Sequence, residues 1–253
     1  MHFRLLEPDG AVADPIDAER SLLALAAQPI AQPPMAQLWT APPSLVVPRS
    51  YRRHAGFEAA RARFAAEGCP VHVRPSGGGL VPQGPGILNL SLAYTVPGLL
   101  GDWSEPIYRH LCELLQRPLA ALGIDTRWQT VSGSFCDGRF NLAWGDGAAA
   151  RKIAGTAQYW RPLPADGTAP RRHAVLAHAV LLVDADLGAV TARANAFEQA
   201  IASGRHYDAA RTVSVAEALQ PRIVPRLIDE LRQRLAKAIT QASPPVRDQA
   251  PRA

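Results

Sequence analysis

The chain has 253 residues, 47% of them hydrophobic and 19% charged, with a formal net charge of +5. This is the composition of an ordinary globular chain long enough to bury a sizeable core, and it excludes a largely disordered one. No apolar run approaches a membrane span, residues 22–27 and 174–183 both being too short. Met1-His2-Phe3-Arg4 lacks the charged-then-apolar order of a secretory signal. Cys69, Cys112 and Cys136 form no CxxC pair, which argues against a disulfide framework or a structural zinc site. A reducing, cytoplasmic setting is therefore expected, with no metal site and no membrane association. The positive charge suits an acidic protein partner. The arginines are scattered, without a basic stripe interleaved with aromatics, which argues against nucleic acid as a partner.

In chain order, residues 2–6 read as a short strand, and Asp14-Pro15 opens a helix through about Ala27, with Asp as N-cap and Pro in the first turn. Pro-rich connections at 29–34 and 42–48 surround strand candidates at 37–40 and 44–47. Residues 56–67 carry Phe57, Ala60 and Phe64 at helical spacing, stopped by Gly68. Val71-His72-Val73-Arg74 alternates as a half-buried strand does. A loop over 75–86 follows, the most glycine-dense in the chain, and then a strand over 87–94. Without Cβ atoms, Gly77–Gly79 let the backbone approach a ligand closely; a glycine-rich hairpin turn is the plainer alternative. Residues 102–122 form an amphipathic helix in which Pro118 is expected to bend or interrupt the last turn. Strands are expected at 126–132 and 142–144, and the apolar 173–183 reads as a central strand. Helices are expected at 189–202, from Val215, and at 223–240. The domain should end near 243, with 244–253 a disordered tail. Strands exchanging with helices, and strand pairs joined by tight turns, imply an α/β fold: a mixed β-sheet sandwich with flanking helices.

Of the 27 basic Lys and Arg residues only Lys152 and Lys237 are lysine. A chain that otherwise uses Arg keeps an amine at Lys152, directly after Arg151. Ammonium is compact and loses its proton when desolvated, whereas guanidinium stays charged and needs a wide planar slot. A solvated strand-end charge is the plainer alternative.

Four stretches in order carry a resemblance: Arg74-Pro75-Ser76-Gly77-Gly78-Gly79, then Gly86 to Ser91 (GILNLS), then Lys152 to Gln158 (KIAGTAQ), then His178 to Leu187 (HAVLLVDADL). Together they resemble the biotin/lipoate protein ligase and octanoyltransferase superfamily, over about residues 40–190. The resemblance implies that family's catalytic-domain fold and a site in which the glycine loop and the lysine enclose the carboxyl end of an acyl group. By it, Arg74, Ser76, Gly77, Gly78, Gly79 and Asn89 bind substrate, Lys152 is catalytic, and Gly155, Thr156 and Ala157 wall the acyl chain. His178 falls where many ligases carry a histidine; a core-strand histidine is the alternative. The chain departs from the pattern at Pro82-Gln83, where many ligases carry another histidine.

Ser134 to Leu142 (SFCDGRFNL) resembles the loop bearing the nucleophile in cysteine-dependent octanoyltransferases, the amidotransferase branch being closest; a small core residue is the plainer role for Cys136. Cys136 and Lys152 are close enough in sequence for one hairpin to join them. An ammonium beside a thiol favours the thiolate and can stabilise the oxyanion formed on attack. The expected activity is therefore transfer of an octanoyl or lipoyl group through a Cys136 thioester to a lysine of a lipoyl-carrier domain, with no cofactor. The partners implied are the glycine cleavage H protein, the E2 component of 2-oxoacid dehydrogenases, or acyl carrier protein. One alternative is an ATP- and Mg-dependent lipoate-protein ligase that lacks its accessory domain or is supplied with it separately. Another is a non-catalytic binder of acylated carrier protein.

Overall fold

The computed structural model describes residues 1–7, 12–28, 30–164 and 171–247. Its strands in chain order are β1 (Arg4–Leu5), β2 (Met35–Trp39), β3 (Ser44–Pro48), β4 (Val71–Arg74), β5 (Val81–Gln83), β6 (Ile87–Pro97), β7 (Thr126–Trp128), β8 (Leu142–Trp144), β9 (Arg151–Pro162) and β10 (Arg172–Leu182). Its α-helices are α1 (Pro15–Ala26), α2 (Phe57–Ala66), α3 (Leu100–Ala120), α4 (Leu187–Ala200), α5 (Val215–Ala218) and α6 (Leu227–Gln241).

Seven strands form one sheet in the order β1-β2-β6-β10-β9-β8-β7, and three form a second in the order β4-β3-β5. The β1–β2 and β3–β4 pairs are parallel and the other pairs antiparallel, so both sheets are mixed. The mixed α/β architecture expected from the sequence is the one observed. Apolar residues of α3 and α6 cover one face of the large sheet, in a core that includes Leu90, Leu111, Ile153, Val175, Leu231 and Leu235. On the opposite face the small sheet, α2 and α4 build a second core from Leu45, Phe57, Phe64, Leu80, Val180 and Phe197. The candidate site lies between the two sheets.

β10 occupies the centre of the large sheet, as its apolar run predicts. From His173 to Leu182 its residues are buried except at His178, which faces a cleft. Asp14 caps α1 as expected, accepting from the N–H groups of Ile16 (2.8 Å) and Asp17 (3.2 Å).

Several boundaries differ from the sequence reading. Pro118 does not interrupt α3, which runs to Ala120. Pro118 is itself buried, so tertiary packing outweighs the local cost of proline in a helix. The loop expected over 75–86 contains β5, whose Pro82 pairs with Leu45 at the sheet edge, where a missing N–H is tolerated. The strand expected to reach residue 132 ends at Trp128, where the chain turns into the loop that carries Cys136. α6 starts at Leu227, after Pro225 and a left-handed Arg226, rather than at Ile223. In the expected tail, Arg247 pairs with Asp102 at 3.0 Å, and residues 248–253 lie outside the described ones.

Candidate active site

A cleft runs along β9 and β10 between the sheets. Gly155, Ala157 and Tyr159 line it from β9, and Val180, His178 and Leu176 from β10. These residues pair in that order, Gly155 with Val180, Ala157 with His178 and Tyr159 with Leu176. Strand residues two apart lie about 6.7 Å from each other, so these three layers span about 13 Å, longer than an extended eight-carbon chain. Val46 and Val81 of the small sheet face them, and Ile16 and Glu19 of α1 close the side.

Cys136 and Lys152 meet at one end. The loop over 131–141 is stapled to itself: Asp137 accepts from the Val131 N–H (2.7 Å) and from the Asn141 amide (3.2 Å). The Thr156 hydroxyl donates to the Phe140 carbonyl at 2.7 Å, fixing the loop to β9. At its apex Cys136 takes φ = +44°, a left-handed conformation costing a side-chain-bearing residue on the order of 1–3 kcal/mol. The Cys136 Sγ accepts from the Gly79 N–H at 3.3 Å, with the Arg74 guanidinium 3.8 Å away. Lys152 Nζ donates to the carbonyls of Phe135 (2.5 Å) and Cys136 (3.2 Å). An ammonium has three N–H donors, so one remains for an oxygen in the cleft that Lys152 lines.

Lys152 is only 6% exposed. Burial pushes its pKa down to about 8, Cys136 and Asp137 oppose that shift, and Arg74 adds to it. Arg74 is also buried, and desolvation lowers its pKa. Its guanidinium holds the glycine loop by donating to the carbonyls of Gly77 (2.9 Å) and Gly79 (2.6 Å), and ties it to β3 through Val46 O (3.0 Å).

The three glycines are not equivalent. A Cβ on Gly78 would lie 2.6 Å from Cys136 Sγ, and its φ of +102° already disfavours a side chain. A Cβ on Gly79 would come within 3.3 Å of Cys136 Cα, whereas one on Gly77 would meet nothing within 4 Å. Gly155 makes room for the lysine, since its Cβ would sit 2.9 Å from Nζ.

Of the residues singled out from the sequence, Ser76, Thr156, Ala157 and His178 line the cleft. Asn89 is set behind it: fully buried, it exchanges two amide hydrogen bonds with Gln83 (2.8 and 3.0 Å), and Gln83 faces the cleft. The position where the sequence departs from the ligase pattern, Pro82-Gln83, thus lies in the cleft wall.

Two groups escaped the sequence reading. Glu19 on α1 sits 2.5 Å from His178 Nδ1 and accepts from the Ser91 hydroxyl (3.0 Å), which in turn accepts from the Trp39 indole N–H (3.0 Å). This polar knot joins α1, β2, β6 and β10, and no local motif marks it. Behind the glycine loop, the fully buried Glu198 accepts from the Tyr51 (2.6 Å) and Tyr207 (2.7 Å) hydroxyls on one oxygen. Burial, and then the bond to Glu198, push Tyr51 up to about 12 and raise Tyr207 further. The Tyr51 hydroxyl accepts from the Leu80 N–H at 3.2 Å, and the Tyr207 ring packs on Phe135 with centroids 5.1 Å apart. Glu198 therefore supports both walls of the Cys136 pocket. Among the described residues no group of three His, Cys, Asp or Glu is placed to hold a metal ion, and no helix is long and apolar enough to cross a membrane.

The family description "Lipoyl protein ligase A/B catalytic domain" matches residues 12–240. An uncharacterized protein of Cupriavidus necator is 64% identical over 214 residues, which are 83% of this chain and 82% of that protein. An octanoyl-GcvH:protein N-octanoyltransferase of Kyrpidia tusciae is 38% identical over 154 residues, 61% of this chain and 51% of that relative, so the match spans about half of it. Among solved structures, a lipoate-protein ligase A bound with ATP superposes with a TM-score of 0.63 at 21% identity, covering 95% of this chain and 85% of that one. That likeness is one of fold.

Proposed function

Because the chain belongs to the lipoyl protein ligase A/B catalytic-domain family, we propose that it moves an octanoyl or lipoyl group between carrier proteins through a thioester on Cys136. The observation that carries this reading is the Cys136 sulfur itself. It sits at the mouth of an acyl-length cleft, held by the Gly79 N–H, with Arg74 and Lys152 as the neighbouring cations. The relative from Kyrpidia tusciae, by its name an octanoyl-GcvH:protein N-octanoyltransferase, favours the amidotransferase form.

In the first step the Cys136 thiolate attacks the carbonyl of an acyl-lysine on a donor carrier. A C–S bond forms, the carbonyl π pair moves onto oxygen, and the free Lys152 N–H stabilises that oxyanion. On collapse the C–N bond breaks and the donor lysine leaves as an amine, taking a proton from solvent. In the second step the neutral amine of an acceptor lysine attacks the thioester. The C–N bond forms, the C–S bond breaks, Cys136 is restored as thiolate, and the amine's surplus proton goes to solvent. No cofactor is consumed. Lys152 also fixes the apex of the cysteine loop through two carbonyls, so its charge and its position serve the same step. The acyl chain lies along Gly155–Tyr159 and Leu176–Val180, and each methylene buried there contributes about 0.8 kcal/mol.

The second reading is ATP-dependent ligation, supported by two buried cations at the reacting end of the cleft and by the fold shared with an ATP-bound ligase. In it Arg74 and Lys152 would hold the phosphate and carboxylate of an acyl-adenylate. Intact-mass analysis separates the two. A mass gain of one octanoyl group, formed from octanoylated H protein without ATP and lost in Cys136→Ser, supports the transferase. Octanoylated product that requires ATP and passes through no adduct on the enzyme refutes it in favour of ligation.

A further inference from the structure

The acceptor amine reaches this site as an ammonium, yet the reacting end of the cleft already holds two buried cations, Arg74 and Lys152. A cation approaching two cations across a low-dielectric wall is repelled. A carrier can offset that repulsion by bringing negative charge beside its lysine, provided the rim of the cleft receives it. The rim has the groups to do so. Arg205 Nη1 lies 3.0 Å from the point a Gly79 Cβ would occupy, and Cys136 Cα lies 3.3 Å from the same point, so this guanidinium stands next to the nucleophile. Arg205 also stacks over the Tyr51 ring, 5.5 Å from its centroid. Tyr51 is the buried residue of a single 3₁₀ turn, Arg49–Arg53, whose Arg49, Arg52 and Arg53 are all exposed. The shared contact of Tyr51 and Tyr207 with Glu198 locks the two segments side by side.

Arg205 is partly offset from within, by the Tyr207 hydroxyl and the buried Glu198 carboxylate. Among the described residues, Arg49, Arg52, Arg53 and Arg205 make no ion pair. Of the carboxylates on the adjoining segments, Asp208 accepts from the Ala210 N–H (2.9 Å) and Glu58 pairs with Arg61 (3.5 Å), which leaves the exposed Arg49, Arg52 and Arg53 to a partner.

We infer that Arg49, Arg52, Arg53 and Arg205 form the docking surface for an acidic carrier domain, pairing with carboxylates that flank its acceptor lysine. This rests on the acyl-transfer reading for the identity of the partner. Four like charges beside a cleft raise the encounter rate with an acidic partner and make binding sensitive to salt.

The test uses the full chain, its Arg52→Glu/Arg53→Glu double variant, and an unmodified acidic lipoyl-carrier domain. Carrier affinity is titrated at low and high ionic strength. Cys136 acylation is followed separately with the octanoyl thioester of N-acetylcysteamine, a small neutral donor. The double variant should bind the carrier about tenfold or more weakly and lose most of the salt dependence of the wild type. Its acylation by the small thioester should stay within about twofold of wild type, because docking charges do not touch the acyl chain. A carrier whose lysine-flanking carboxylates are replaced by amides should bind the wild type as weakly as the native carrier binds the variant. Unchanged carrier affinity in the double variant overturns the inference, and so does tighter binding of a DNA oligonucleotide than of the carrier. Should the wild type take no acyl group from the small thioester while carrier binding still depends on these charges, the transfer reading fails and the docking surface stands.

Discussion

Gly78→Ala tests the geometry of the nucleophile most directly. The new Cβ would be placed 2.6 Å from Cys136 Sγ and 3.2 Å from Arg74 Nη2. Non-bonded contacts settle at about 3.5–4.0 Å, so the sulfur must retreat by about 1 Å or the loop must open by as much. A displacement of that size at a reacting atom costs about 10²-fold in rate. The backbone adds its own cost, because φ of +102° at Gly78 is a conformation side chains avoid, at on the order of 1–3 kcal/mol. For a chain of this size that amounts to a fall in Tm of several degrees without loss of the fold, since Gly78 is exposed and buries no core. The assay is the rate of Cys136 acylation by intact mass, with a thermal melt alongside. Gly77→Ala is the matched control: no atom lies within 4 Å of its Cβ and its φ is not left-handed, so rate and Tm should hold. If Gly78→Ala acylates at the wild-type rate, the sulfur is not where its reaction requires it, and the reading of the loop as the nucleophile's cradle is wrong.

Lys152→Arg should fold yet lose about 10²–10³ in acylation rate, because a planar guanidinium has no room beneath Gly155 and one oxyanion donor is lost. Lys237→Arg on the exposed side of α6 should be neutral, and wild-type acylation by Lys152→Arg would reduce the lysine to a dispensable charge. Stability should respond to pH through the same group. Burial holds the pKa of Lys152 at about 8 in the folded protein, against the ordinary lysine value of 10.5, so between those values the unfolded chain holds a proton that the folded protein has released. The denaturation midpoint should therefore rise with pH across about 8 to 10.5 relative to a Lys152→Met variant, with the full penalty for burying the ammonium present below 8; parallel curves for the two proteins would refute the assignment. Tyr51→Phe removes the acceptor of the Leu80 N–H and one of the two donors to Glu198, at a cost of about 1–3 kcal/mol. Acylation should slow with it, and a variant that melts lower but acylates normally would show that Glu198 supports the core and not the loop.

The sequence by itself determined the mixed α/β class, the central strand around His178, the cap at Asp14 and the meeting of Cys136 with Lys152. Each of these is written in local pattern: apolar runs, a capping residue, a glycine triplet, or a span short enough for one hairpin. It also singled out Lys152, because a chain so committed to arginine keeps a lysine where a side chain must fit under Gly155. What it could not express is which distant groups converge. Glu19 and His178 are far apart in the chain and look like a helix-face carboxylate and a strand histidine until α1 folds across the cleft. Tyr51, Glu198 and Tyr207 come from three segments, and only tertiary packing puts a single buried carboxylate oxygen between two hydroxyls. Asn89, a substrate contact by the resemblance, lies one layer behind the cleft wall, because the register of β6 aims its amide at Gln83. The three glycines differ for the same reason. Composition treats them alike, whereas the space around each Cβ depends on a cysteine loop more than fifty residues later in the chain.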